Sequence, residues 1–192
     1  MYENFLSAYP ADSDEAPRPF SAPKLAELDG FNELVSLGAG KSFGGGILRI
    51  HSESEMERAA GLIADGFPDY DGRVAPIAKD WLGRQYAIPL TESGFTPNLV
   101  LLIEPGSGEV FEVDCGLEEL FDAEMLADPE TFLASDLYAE WREVNSESVA
   151  SGQCVGFKVP LFLGGDGSVD NLELSDESVY WSLMGQLRTR TA

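Results

Sequence analysis

The chain has 192 residues, of which 34 are acidic and 12 basic, for a formal net charge of −22. A field of that sign repels nucleic-acid phosphates and anionic lipid alike, so direct binding to DNA, RNA or a membrane surface is excluded and a cationic partner is expected. With 44% hydrophobic residues the chain has enough apolar side chains for one domain, or for two small units sharing a core, and it is not a disordered chain.

In chain order, Asn4 to Tyr9 reads as a short helix ended by Pro10. A proline-rich acidic loop runs from Ala11 to Pro23. Leu25, Leu28, Phe31, Leu34 and Val35 recur at helical spacing over Lys24 to Leu37, with Gly30 as a point of breakage and Gly38 as the stop. Gly44-Gly45-Gly46 leads into a buried strand at Ile47 to Ile50. Ser52-Glu53-Ser54-Glu55 then opens a helix that Met56, Ala59, Ala60 and Ile63 carry to about Asp65.

The middle of the chain changes character. Ala75 to Leu90, Asn98 to Glu104 and Val110 to Val113 alternate or run apolar between Gly and Pro, which predicts an antiparallel meander with a turn at Pro105 to Gly108. Helical spacing returns at Leu117 to Phe121 and over Pro129 to Val144. The apolar run Val155 to Leu163 predicts a strand stopped by the glycine turn Gly164 to Ser168. A last helix, opening on Ser175 or Asp176, closes near Arg188. Helices at both ends and strands in the centre give an α+β fold with a mainly antiparallel sheet flanked by helices.

Catalytic chemistry finds little support. His51 is the only histidine, and no nucleophile motif accompanies it, so a strand-end or surface role is expected. Cys115 and Cys154 lie far apart without metal-ligand or disulfide spacing, which points to a reducing, cytoplasmic setting. The opening residues show no secretion-leader pattern and no segment has membrane-span length. Asp166, Asp170 and Glu173 stand near a glycine turn but lack the ligand order of a calcium loop, and a solvated acidic turn is the expectation there. Gly38-Ala39-Gly40-Lys41-Ser42 has the ending of a phosphate loop without its first glycine. No catalytic residue, cofactor or metal is therefore assigned. Trp81, Trp141 and Trp181 are expected in the core, and Arg84 is expected to fix a carboxylate, with Glu104 or Glu112 as its mate.

Two fragments have a family character. The first runs Gly156-Phe157-Lys158-Val159-Pro160-Leu161-Phe162-Leu163-Gly164-Gly165, continues through Asn171-Leu172-Glu173 and Val179-Tyr180-Trp181, and ends at Gly185-Gln186-Leu187. The second is Asp80-Trp81-Leu82-Gly83-Arg84-Gln85-Tyr86-Ala87. Together they resemble the C-terminal domain of the Tdi family, bacterial immunity proteins that protect a cell from its own type VI secretion nuclease toxin and often carry a GAD-like part ahead of it. The resemblance implies toxin binding without catalysis. It also implies structural roles for Trp81, Gly83, Arg84, Pro160, Gly164, Gly165, Asn171, Trp181 and Gln186. In domain terms it allows a single unit over 1–192, or a GAD-like part at 1–72 and a Tdi-like part at 73–192 sharing one core.

Acidic side chains concentrate between Glu104 and Glu147, where Arg142 is the only base. Asp136, Glu140 and Glu143 fall at i, i+4 and i+7, on one stripe of a helix, where like charges cost roughly a few tenths of a kcal/mol per pair. A cationic partner relieves that repulsion. Asp136, Glu140, Glu143, Glu147, Asp166 and Asp170 are accordingly the candidate partner-binding residues, and the expected partner is a cognate toxin, a basic nuclease. The alternatives are an interaction module of the broader SUKH-like kind, of unknown partner, whose acidity reflects its host cytoplasm, and a metal-dependent enzyme built on Asp166, Asp170 and Glu173.

Overall fold

A computed structural model describes residues 1–191. Its frame is an antiparallel sheet whose strands are β1 (Ser42–Phe43), β2 (Leu48–Ile50), β3 (Val74–Asp80), β4 (Gln85–Thr91), β5 (Gly94–Phe95), β6 (Val100–Glu104) and β7 (Glu109–Val113). The order across it is β1-β2-β3-β4-β6-β7, and the short β5 folds back on the end of β4. A separate hairpin pairs β8 (Gln153–Phe157) with β9 (Leu172–Asp176). The fold is α+β.

Period-two alternation sets the two faces of the sheet. On β6, Val100 and Leu102 enter one apolar cluster while Leu101 and Ile103 enter another; on β4, Tyr86 and Ile88 part from Ala87 in the same way. The first cluster receives α1 (Glu3–Ala8) through Phe5 and α2 (Phe31–Gly38) through Phe31 and Leu34. It also takes the helical stretch α4 (Leu117–Glu119), a π-helical turn (Leu120–Glu124), α5 (Met125–Ala127), α6 (Pro129–Leu133) and α7 (Ser135–Val144). The second cluster lies beneath α3 (Glu53–Gly66) and α8 (Glu177–Thr191), which contribute Leu62, Ile63, Tyr180, Trp181 and Met184. All three tryptophans are core residues.

Several elements follow local signals. The Glu55 carboxylate accepts the Ser52 N–H at 2.9 Å and so caps α3 where the sequence pattern places its start. The Asp176 carboxylate accepts the N–H groups of Ser178 and Val179 and opens α8. Gly30, at φ +82°, breaks the helical pattern of 24–37 into a 3-10 turn (Pro23–Leu25) and α2.

Two expectations are corrected. Pro129 to Val144 is two helices, because Ala134 adopts φ +47° between them. The apolar run 155–163 is a strand only as far as Phe157; Leu161–Leu163 coils into a 3-10 turn. Residues 172–176, for which no element is expected from the sequence, are a strand, since Val155 pairs with Leu174 and Phe157 with Leu172.

Candidate functional site

The turn between β3 and β4 carries a cluster of buried polar contacts. Gly83 sits at φ +77°, with Cys154 so close that an added Cβ would lie 2.9 Å from the Cys154 Cβ. The Asp80 carboxylate accepts the Arg84 backbone N–H at 2.9 Å and its Nε at 2.5 Å, and both side chains are almost sealed from solvent. Asp80, four residues back, is therefore the mate of Arg84. Neither Glu104 nor Glu112 pairs with it, and Glu104 instead accepts the Ser107 hydroxyl.

From this turn, side chains reach the end of α6. The last carbonyls of a helix lack partners within it. Here Arg84 donates to the carbonyls of Thr131 and Phe132, Tyr86 donates its hydroxyl to Phe132, and the Trp81 indole donates to Leu133 at 2.9 Å. On the opposite side the Trp181 indole of α8 donates to the Gly83 carbonyl at 3.1 Å. Trp81, Gly83, Arg84 and Trp181 thus form one junction between the sheet and both C-terminal helical regions.

A second buried network lies beside it. Glu177, the first residue of α8, takes Lys79 at 2.8 Å, Arg58 at 3.3 Å and the Gln85 amide at 3.1 Å. Lys79 also donates to the carbonyls of Ser151 and Gln153. The Gln85 side-chain carbonyl meets His51 Nε2 at 2.8 Å, whereas His51 Nδ1 is buried without a partner. His51 stands at the end of β2 as expected, yet it is 1% exposed and not on the surface. Burial lowers its pKa to about 4, against the Gln85 contact, and keeps the ring neutral at physiological pH. Sequence reasoning missed Lys79 and Glu177, because each looks like an ordinary surface charge until the fold brings them together.

The segment from Lys158 to Asn171 is organised by one amide. Asn171 donates to the carbonyls of Val159 and Asp166 and accepts the Val159 N–H. Gly165 has no room for a side chain, since a Cβ there would lie 2.0 Å from the Val159 carbonyl oxygen. Its N–H bonds to the Pro160 carbonyl, and Gly164 turns the chain at φ +86°. Asp166 caps Ser168 within this segment, Asp170 is exposed, and the Gln186 amide donates to the Ser182 hydroxyl on its own helix. Among the described residues no group of three or more His, Cys, Asp or Glu side chains is disposed to hold a metal ion.

The acidic side chains divide into two surfaces. Asp136, Glu140 and Glu143 are exposed along α7, while Tyr138 and Trp141 of the same helix are buried. The 3-10 turn Val169–Asn171 packs against α7, so Asp170 adjoins this helix; Glu147 is exposed in the segment that follows it. The second surface is an open cleft of about 750 Å³ with carboxylates from Glu27, Asp29, Asp114, Glu118, Glu119 and Asp122, and no Lys, Arg or His in its lining. Asp122 is held there by the Phe5 N–H and the Asn4 amide. Four of the six carboxylates lie in the acid-rich stretch visible in sequence. Glu27 and Asp29 join them only through the docking of the N-terminal region.

Residues 117–188 match the family model described as T6SS immunity protein Tdi1, C-terminal. The matched stretch contains α7, the Asn171 segment and most of α8. No curated protein matches the chain in sequence. Among solved structures the chain resembles the crystal structure of Atu4351 from Agrobacterium tumefaciens, with a TM-score of 0.62 at 15% identity over 97% of this chain and 89% of that one. That likeness concerns the fold. Among the described residues no helix is long and apolar enough to cross a membrane.

Proposed function

We propose that this chain, a Tdi-type type VI secretion immunity protein by the family that its residues 117–188 match, binds a cognate toxin and neutralises it through its acidic surface. The family match carries the reading: it spans α7, where Asp136, Glu140 and Glu143 face solvent, and the neighbouring turn with Asp166 and Asp170. The toxin proposed is a basic nuclease. A nuclease presents positive surface to its substrate's phosphates, so an acidic protein seated there accelerates encounter and excludes nucleic acid without any catalytic group of its own. The proposed location is the cytoplasm, where such a toxin meets its target.

The division into a GAD-like part at 1–72 and a Tdi-like part at 73–192 with a shared core belongs to the same proposal. The pairing of β2 with β3 and the Arg58–Glu177 contact support a shared core, because both cross that division.

The test is co-expression with the product of the adjacent gene, followed by affinity capture and titration. A stoichiometric complex in which nuclease activity and killing are suppressed is the expected result. Absence of capture, or a captured toxin that still cuts DNA, would remove the reading.

A further inference from the structure

The two edges of the main sheet are treated differently. At β1 the edge is covered by the chain's own N-terminal arm: Ala11 bridges Phe43, the Asp12 N–H donates to the Ser42 carbonyl, and the Gly44 N–H donates to the Pro10 carbonyl. The opposite edge is β7, which pairs only with β6. Among the described residues, the backbone bonds of 109–113 outside that ladder are the Glu109 N–H to the Ser107 hydroxyl and the Cys115 N–H to the Val113 carbonyl. Residues 110–112 therefore leave backbone groups on their outer side open to solvent. An exposed row of this kind is a template for another strand.

The side chains around the edge state what fits. Phe111 is 43% exposed, the sort of half-buried aromatic that packs beside an incoming strand. Glu109 and Glu112 are exposed on the same strand, and the chain runs directly from Val113 into Asp114 and Gly116 of the acidic cleft. A second copy of the chain is disfavoured there, since pairing would join two strongly acidic molecules, each of formal net charge −22.

We propose that the free edge of β7 receives an extended, Lys- or Arg-bearing segment of the toxin as an added strand, whose basic side chains continue into the acidic cleft. Main-chain bonds to β7 supply register and affinity, Phe111 covers one flank, and the carboxylates select positive charge. This inference rests on the toxin-binding reading and gives it a site.

Amide hydrogen exchange is measured on the chain alone and in complex with the product of the adjacent gene. In the complex the outward amides of 110–112 are expected to slow by at least about 100-fold, because a solvent-facing N–H becomes a ladder bond. Phe111→Ala, at a position too exposed to unfold the protein, should weaken affinity about tenfold while leaving the melting temperature in place. A tight complex with unchanged exchange at 110–112 and full affinity of the Phe111→Ala variant would overturn the proposal while leaving toxin binding intact. No complex at all would overturn both.

Discussion

Arg84 and Asp80 pair across the β3–β4 turn, and the same guanidinium donates to two carbonyls at the end of α6. One side chain therefore neutralises a buried carboxylate and closes a helix that belongs to a distant part of the chain. Arg84→Met is expected to lower stability by about 3–5 kcal/mol, because it strands a buried charge as well as the Thr131 and Phe132 carbonyls. Urea denaturation measures it. Adding Asp80→Asn to Arg84→Met should return part of the loss, as the stranded charge is then gone.

His51 predicts a specific response to acid. Its pKa is about 4 in the fold and 6.5 in the unfolded chain, so between these values the unfolded chain binds the additional proton. The contribution of His51 is full above pH 6.5 and is lost as pH falls toward 4. Asp80 acts in the opposite sense: burial, outweighing the attraction of Arg84, raises its carboxyl from 3.8 to about 6, so acidification through that range favours the folded state. The two slopes offset one another in the native chain. His51→Gln removes only the first, and between pH 7 and pH 5 its stability relative to the native chain should rise by about 2 kcal/mol. Urea titrations at the two pH values check the sign.

Gly83 is held in the left-handed region with Cys154 against it. Gly83→Ala should cost about 2 kcal/mol or more, from the backbone penalty of a Cβ at positive φ and from the displaced Cys154. For a protein of this size that is a fall of roughly 4–8 °C in melting temperature. Calorimetry reads it, and an unchanged melting temperature would mean that the turn relaxes freely.

Reversal of Asp136, Glu140 and Glu143 to lysine separates binding from folding. These side chains are exposed on α7, so thermal stability should change little, within about 0.5 kcal/mol per site. Association with the toxin should slow by about tenfold at low salt, and the difference should shrink as ionic strength rises. Stopped-flow rates at two salt concentrations test this, and equal rates for native and reversed chains would locate the contact elsewhere.

Local signals were legible where one short stretch decides the outcome. Ser52 and Glu55 mark the start of α3, Asp176 marks α8, and the alternation across 98–113 marks a hairpin. The strand β9 escaped notice because its five residues acquire an extended conformation through pairing with β8 rather than through a strong pattern of their own. The run 155–163 ended early because Pro160 has no N–H for a ladder and Asn171 holds the chain in a loop there. The mate of Arg84 was misjudged for a geometric reason: a hairpin turn returns residue 84 to residue 80, closer than any carboxylate on β6 or β7. For the site, the acid stripe on α7 was readable from spacing. The cleft was not, because Glu27 and Asp29 reach it from nearly ninety residues away.

The carbonyls that close α6 are satisfied by Trp81, Arg84 and Tyr86, and the indole of α8 is satisfied by Gly83. A fragment cut to the family-matched residues 117–188 would lose every one of these partners at once. Such a piece is a ligand for the rest of its own chain before it is a ligand for anything else. Ribosomal synthesis delivers the β3–β4 hairpin before the helices that dock on it, so the groups that α6 and α8 bind are already in the chain when those helices emerge.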